Sequence, residues 1–325
     1  MRNPPNRRDT KRFDSYCRAI ETVLSASAER FDANETAMFA RQLEDIDAEL
    51  YRVEYPELKG ETIVPVRGNI NEGAEEYTYR ALDKLGQSKV IASYADDLPR
   101  VDVQGKEITT KLFGHGASYG YSIQDLRRSR MTGMPLDEER ALAAREVIAR
   151  KNDSIIAFGE SSVGITGFWN SALVSLVSPA TGTWSSATAD QIVDDLFKME
   201  RAIIVDSNGA EMPDTVVLAP SLWALAATKR LSNTEVTALE FFLRKSIGVK
   251  SAEPWYAGEL ANAAGNGPRI AMGRRDPRKL AALLPLPFHQ MAPQQKGLGF
   301  EINCDSRAGG TIFRYPKSWR YMDGC

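Results

Sequence analysis

The sequence predicts an α+β protein, and three observations lead to this fold class. Residues 61–122 are rich in Val, Ile, Thr and Tyr and carry turn signals at Gly68, Gly73 and Gly86, which is typical of strands. Residues 136–158 have the periodicity of one long helix. Residues 186–231 predict a helix, a strand and a second helix, and the chain closes with three short strands.

The β-rich stretch predicts strands in ETIVPV (61–66), EEYTYR (75–80), SKVIASY (88–94) and KEITTKLFG (106–114). The polar loop 95–105 separates the last two, which therefore predict a two-stranded arm. The charged residues at and beside its tip are Asp96, Asp97, Arg100, Asp102 and Lys106. Because the flanking strands have few apolar residues and an isolated hairpin is marginal in water, the arm is expected to rest on another surface.

Helices are predicted on both sides of this stretch. Residues 13–50 predict short amphipathic helices, and residues 136–158 predict a long one that begins after Pro135 and ends at Gly159. Its apolar stripe is predicted to consist of Ala144, Val147, Ile148, Ile155 and Phe158. A further helix is predicted from Ser186 to about Val205. After it come a strand in DTVVLAP, a helix in SLWALAATKRL and closing strands in GLGFEINC, GGTIFRYP and WRYMDG.

The net charge of −2 argues against a general polyanion binder, but the N-terminus is basic. Its first 18 residues hold six basic and two acidic side chains, including Arg7, Arg8, Lys11 and Arg12. A solvated tail is one interpretation and contact with nucleic acid phosphates is the other. No apolar run follows this segment or is long enough to span a membrane, so we expect a protein of a cytoplasm-like compartment. Cys17, Cys304 and Cys325 lie far apart, which argues against disulfides and a zinc site.

The motifs that resemble catalytic or nucleotide-binding motifs lack the residue spacing that those motifs require. The glycines of FGHGASYGYS (113–122) match neither the dinucleotide fingerprint nor the P-loop, and inside a strand they indicate a bulge or a close backbone approach. FGESSVG lacks the spacing of a nucleophile elbow. His115 and His289 are the only imidazoles, and a structural hydrogen bond is the expected role for His115. The pairs Asp96/Asp97 and Asp194/Asp195 are interpreted as solvated surface, and Tyr77, Tyr79 and Tyr94 as strand packing. We therefore expect no enzyme, cofactor or metal.

The order of these segments resembles the major capsid proteins of tailed double-stranded DNA bacteriophages, which have the Hong Kong 97 fold. The resemblance rests on residues 93–160 (SYADDLPRV to IIAFGE), on DTVVLAPSLWALAATKRL and on RAGGTIFRYPKSWRYMDG, and it covers nearly the whole chain. It implies an N-arm (1–60), a first P-domain strand (61–75), an extended E-loop (76–112), a P-domain with a spine helix at 136–158 (113–164), an A-domain (165–288), P-domain return strands (289–315) and a C-terminal strand (316–325). It also makes FGHGASYGYS the return strand of the E-loop, followed by a short helix from Ser122 to Met131.

The resemblance implies a structural protein that self-assembles, as pentamers and hexamers, into an icosahedral virion capsid around double-stranded DNA. It implies assembly in the host bacterial cytoplasm, with a portal, a separate scaffolding protein and a decoration protein as further partners. The tip residues of the E-loop would then act between subunits, and Arg7, Arg8, Lys11 and Arg12 would face packaged DNA. Two alternatives stay open: an encapsulin-type nanocompartment shell of the same fold, and an α/β nucleotide-binding or hydrolytic enzyme.

Overall fold

The computed structural model describes residues 55–86, 100–132, 136–180, 182–261 and 267–325. The chain divides into two compact units, Met1–Tyr55 and Pro56–Cys325, and the helices and strands given below all belong to the second. The helices predicted within 13–50, the strand predicted at 88–94, the basic N-terminal residues and Cys17, Tyr94, Asp96 and Asp97 lie outside the described residues.

The described helices and strands follow one another in the α+β order that the sequence predicts. The helices are α1 (Gly60–Ile63), α2 (Ile123–Thr132), α3 (Leu136–Phe158), α4 (Ala189–Asp206), α5 (Pro220–Thr228) and α6 (Ala238–Lys245), with short 3-10 helices at Tyr256–Leu260 and Pro316–Ser318. The strands are β1 (Val66–Arg67), β2 (Glu76–Leu85), β3 (Asp102–Lys111), β4 (Phe113–Ser122), β5 (Gly159–Glu160), β6 (Ile165–Thr166), β7 (Ser175–Val177), β8 (Thr215–Leu218), β9 (Ser251–Pro254), β10 (Arg269–Gly273), β11 (Leu280–Leu283), β12 (Leu286–Gln290), β13 (Gln294–Lys296), β14 (Gly299–Ala308), β15 (Thr311–Phe313) and β16 (Trp319–Asp323).

The largest sheet has five strands in the order β7-β16-β10-β8-β9. Alternate residues of its central strands point to opposite faces, so the sheet has a core on each side. Val216 and Leu218 of β8 join the core formed with α4, α5 and α6. Val217 joins the other core, which contains six aromatic rings: Phe168, Trp169, Trp255, Phe313, Trp319 and Tyr321. Helices therefore cover one face of this sheet and an aromatic cluster covers the other.

The long helix α3 packs across a second sheet, in which β14 pairs with β4, β12 and β13. Its bounds, Leu136–Phe158, are those predicted, and Gly159 ends it with a φ of +72°, a conformation that favours glycine. Ile148 and Ile155 are buried against this sheet, but Val147 is 53% exposed, so its place in the predicted stripe is wrong. Val147 lies about 100° around the helix from Ile148, at the edge of the covered face.

The predicted strand ETIVPV is also wrong for most of its length. Residues 60–63 form α1, whose Gly60 amide donates to Asp153 Oδ1 at 2.6 Å. Ile63 and Val64 are both buried. Pro65 lacks an N–H, so pairing begins only at Val66, which runs parallel to β11. The helical turn at residues 60–63, tied to Asp153, therefore replaces the first part of the expected strand.

The arm is a hairpin of β2 and β3, paired over ten residues from Glu76↔Lys111 to Leu85↔Asp102. In the described part of the chain these two strands pair with no third strand. The predicted partner of the strand at 106–114, residues 88–94, lies outside the described residues, and the described partner of β3 is β2. Residues 102–105 belong to β3 rather than to the tip. The predicted strand at 106–114 is divided between β3 and β4 at Leu112, which is buried and donates its N–H to the carbonyl of Glu75 at 2.7 Å.

Candidate assembly surfaces

The return strand β4 is held by close backbone contact with β14 rather than shaped around a ligand. A Cβ on Gly116 would lie 2.6 Å from the carbonyl oxygen of Cys304, and one on Gly120 would lie 3.0 Å from that of Phe300. Glycine is therefore required because the two backbones approach closely, as the sequence predicts. The FGHGASYGYS motif is structural.

His115 has the structural hydrogen bond that was expected. Its Nε2 lies 2.8 Å from Asn152 Oδ1, and Ser306 Oγ donates to the same oxygen at 3.1 Å. Asn152 Nδ2 donates to the carbonyl of Pro287, so one polar cluster joins α3 to β4, β12 and β14. Burial lowers the pKa of His115 and keeps its ring neutral near pH 7. His289 Nδ1 lies 2.9 Å from Asp305 Oδ1 on the exposed side of β12 and β14.

Asp195 corrects the interpretation of the Asp194/Asp195 pair as solvated surface. Asp194 is exposed, but Asp195 is fully buried. It accepts hydrogen bonds from the Ala180 amide at 2.7 Å and from Trp184 Nε1 at 3.1 Å. The two side chains point apart on α4, as adjacent helical residues do, and one of them faces the core. Asp195 thus anchors Ala180 and Trp184 to α4.

Neither a metal cluster nor a membrane helix is found among the described residues. No group of three or more His, Cys, Asp and Glu side chains in that part of the chain is placed to hold a metal ion. No helix there is long and apolar enough to cross a membrane. Cys304 and Cys325 are buried free thiols, and burial raises the pKa of both.

The base of the arm rests on the body of the protein. Tyr77 and Tyr79 pack against the small core of Leu112, Leu283 and Ile312, as the sequence predicts for strand packing. Arg314 Nη2 donates to the Tyr77 hydroxyl at 3.3 Å, and its guanidinium lies 5.9 Å from the centre of the Tyr79 ring. Burial raises the pKa of Tyr79. The first four residue pairs of the arm are therefore anchored.

The distal half of the arm has no such cover. Residues 81, 82 and 100–107 are exposed on both faces of the hairpin. Three apolar side chains point to one of these faces, and we call them the arm strip: Leu82 (71% exposed), Val101 (71%) and Val103 (53%). Leu82 lies opposite Gly105, whose missing side chain leaves the leucine uncovered on that face. Aliphatic side chains on an otherwise polar, unsupported hairpin indicate a contact surface.

The structure places three of the predicted tip residues on this arm. Arg100 precedes β3, Asp102 begins it opposite Leu85, and Lys106 lies opposite Ala81. All three are exposed. Asp102 Oδ1 accepts a local hydrogen bond from the Val103 amide at 2.8 Å. The arm strip was missed by sequence reasoning, because its three residues share a face only in the β2–β3 register.

The comparisons with known proteins agree with this architecture. A family profile described as major capsid protein matches residues 86–325. The capsid of Myoviridae phage XM1 is similar with a TM-score of 0.78 at 15% identity, over 89% of this chain and 99% of that one. Mycobacterium phage Bobi is similar with a TM-score of 0.60 at 14% identity, over 87% of this chain and 96% of that one.

The capsid of an empty GTA particle is similar with a TM-score of 0.60 at 15% identity, over 90% of this chain and 99% of that one. No curated protein sequence matches. At these identities the structural likeness shows the fold alone, and it confirms the predicted capsid fold. The family profile covers most of the chain, and the chain therefore belongs to the major capsid protein family.

Proposed function

We propose that this chain assembles with copies of itself, as pentamers and hexamers, into the icosahedral capsid of a tailed phage that encloses double-stranded DNA. Membership of the major capsid protein family supports a structural role in a shell. The main observation in favour of the proposal is the distal arm, where Leu82, Val101 and Val103 are exposed on a hairpin that pairs with no third strand among the described residues. A neighbouring subunit in a closed shell would supply that support.

The arm acts between subunits in this proposal. Arg100, Asp102 and Lys106 alternate along the chain with Val101, Val103 and Gly105, so they point to the face of the hairpin opposite the arm strip and would make polar contacts there. Asp96 and Asp97, which lie outside the described residues, are proposed to add charge to these contacts. Contacts of this kind, repeated by every subunit, would hold the shell without disulfides.

A shortened arm tests this role. Residues 82–105 are replaced by Asn-Gly, which joins the paired residues Ala81 and Lys106 through a two-residue turn. We expect a folded chain with the thermal unfolding midpoint of the parent and no closed shells in negative-stain electron microscopy. Replacement of the exposed pair Arg80 and Glu107 by Gln, at the same arm but without shortening it, is the control and should leave shells intact. Normal particles from the shortened chain would refute the proposal.

The basic N-terminal residues Arg7, Arg8, Lys11 and Arg12 are proposed to contact packaged DNA without reading its sequence. Phosphate contacts of this kind depend on salt and not on base identity. Replacing all four by Gln should leave shell assembly unchanged and reduce genome retention in particles. Defective assembly would instead assign these residues to contacts between subunits, and unchanged packaging and retention would show that they do neither.

Assembly in the bacterial cytoplasm, with a portal, a separate scaffolding protein and a decoration protein, completes the proposal. An encapsulin-type shell is the alternative within the same fold, and the basic N-terminus favours DNA as the content. The two differ in what purified native particles contain: nuclease-protected double-stranded DNA supports a phage capsid, and an enclosed enzyme supports a nanocompartment. Discrete small particles without shells would favour an enzyme.

A further inference from the structure

The five-stranded sheet has basic residues at one of its ends. Strand β10 ends at Gly273, which pairs with Trp319, the first residue of β16, and with Thr215, the first residue of β8. Thr215 in turn pairs with Ser251, the first residue of β9. The residues just outside these four strands therefore meet at the same end of the sheet. Four of them are basic, and we call them the basic end: Lys250, Arg274, Arg275 and Lys317.

Hydrogen bonds hold the backbone segments of the basic end together. The Arg274 amide donates to the carbonyl of Ser318, the residue after Lys317, at 3.2 Å. The Lys250 amide donates to the carbonyl of Asp214 at 2.9 Å, and Asp214 Oδ1 accepts from the Arg275 amide at 2.8 Å. The fold therefore fixes the backbone positions from which the four basic side chains project, so a partner would lose little free energy in ordering them.

Basic side chains outnumber acidic ones around this end of the sheet. None of the four forms an ion pair with a residue that the structure describes, and all are exposed except Arg274, which is half-buried. The neighbouring carboxylates are engaged: Glu211 pairs with Lys279 at 2.6 Å, and Asp276 accepts from the Arg278 amide at 2.9 Å. The end and its surroundings hold six basic and three acidic residues: Lys250, Arg274, Arg275, Arg278, Lys279 and Lys317 against Glu211, Asp214 and Asp276. A chain with a net charge of −2 thus presents a positive surface here.

The composition of this surface fits a row of phosphates better than another protein. Protein interfaces have an apolar centre, whereas the exposed residues of the loop 274–279 are Arg275, Arg278 and Pro277. Four strands about 4.8 Å apart spread the basic end over about 14 Å. Duplex DNA carries one negative charge per ~1.7 Å of its axis, so roughly eight phosphate charges lie along that length. Guanidinium groups such as those of Arg274 and Arg275 match the geometry of phosphate.

We propose that the basic end binds the phosphates of packaged double-stranded DNA without reading its sequence. Lys250, Arg274, Arg275 and Lys317 supply the positive charges, and each neutralised phosphate releases bound counterions. The contact therefore weakens as the salt concentration rises and does not depend on base identity. This inference rests on the proposed function, and it places a DNA-binding surface on the folded body of the chain in addition to the one proposed at the N-terminus.

Salt-dependent DNA binding by the unassembled full-length chain tests the basic end. Every chain carries Gln at positions 7, 8, 11 and 12, so that the N-terminal residues do not contribute. The basic-end variant also has Lys250, Arg274, Arg275 and Lys317 replaced by Gln. Binding of two fluorescent DNA duplexes of different base composition is measured by anisotropy over a range of salt concentrations. Each phosphate contact contributes about 0.9 to the slope of log K against log salt, so the variant should lose about 3–4 of that slope for both duplexes.

A control with the same loss of charge makes the result specific. Replacing four exposed basic residues of α2 and α6, Arg127, Arg130, Arg244 and Lys245, by Gln should leave the slope unchanged. Equal slopes for the basic-end variant and its parent, or no DNA binding by that parent at low salt, would overturn the inference while the proposed function stands. Loss of shells in the basic-end variant but not in the control would assign the residues to contacts between subunits and also overturn it. Native particles without double-stranded DNA would overturn the proposed function itself.

Discussion

The arm strip gives the sharpest prediction about assembly. Leu82, Val101 and Val103 are replaced together by Thr, which keeps the β-propensity of the hairpin and adds a hydroxyl to each side chain. Full burial of a Leu or Val side chain is worth about 1.5–3 kcal/mol, so the fractions of these three that remain exposed correspond to about 4 kcal/mol if a neighbour covers them completely. An interface gains only part of this burial free energy, and we take half of it, about 2 kcal/mol, for each contact.

A loss of about 2 kcal/mol per contact raises the protein concentration needed for assembly by roughly 30-fold, since each 1.4 kcal/mol is a factor of ten. The assay is light scattering against protein concentration, with shells counted by electron microscopy. The stability of the isolated chain should change by no more than about 0.5 kcal/mol per substitution, because all three side chains are exposed. The matched control replaces the same residues by Ile and should assemble like the parent. Assembly of the Thr variant at the parental concentration would show that the strip is not an interface.

Three further substitutions test the body of the fold by chemical denaturation. Gly159→Ala should lower the free energy of unfolding by at least ~3 kcal/mol, because the alanine would be strained in the left-handed region and would clash with a carbonyl of β6. Gly164→Ala should lower it by only ~1 kcal/mol, because Gly164 has a similar φ but open space around it. Equal losses for the two variants would refute the clash. Asp195→Ala should lower the free energy of unfolding by about 2–4 kcal/mol because it leaves the buried Trp184 Nε1–H and the Ala180 amide without their acceptor. Exposed Asp194→Ala should lower it by under ~0.5 kcal/mol, and similar values for the two variants would contradict the anchoring role of Asp195. Burial raises the pKa of Asp153 in the folded chain above its ordinary value of 3.8. The protonated carboxyl therefore stabilises the fold below pH 3.8, and this stabilisation is lost as the pH rises through the pKa of the folded state. The unfolding free energy of the parent relative to Asp153→Asn should therefore fall as pH rises from 3.8, and a constant difference would exclude this linkage.

Elements with local signals were predicted well. The long helix was found at its observed bounds because Pro135, the acidic first turn and Gly159 mark its ends within the segment itself. The helix predicted to start around residues 186–188 begins at Ala189 with a capping box, in which Thr188 and Gln191 exchange hydrogen bonds. DTVVLAP forms the strand β8 over Thr215–Leu218, a continuous apolar run buried on both faces.

Elements that depend on residues far apart in the sequence were predicted less well. The described partner of β3 is β2, some 25 residues earlier in the chain, whereas the prediction paired residues 106–114 with the nearer run at 88–94, which lies outside the described residues. Asp195 was assigned to the surface because its partners, Ala180 and Trp184, lie on a loop with no sequence signal for it. The arm strip depends on the register of the hairpin, which no single segment of the sequence contains.

The distribution of apolar side chains suggests why assembly and stability can be altered separately in this chain. Four tryptophans, Trp169, Trp184, Trp255 and Trp319, are at most 1% exposed, and they belong to the cores on the two faces of the five-stranded sheet. Their burial stabilises the isolated chain and is complete before any neighbour binds. The arm strip contributes little to that stability because its side chains remain exposed. Substitutions there should change the concentration at which shells form and leave the unfolding transition where it was, whereas core substitutions should do the reverse.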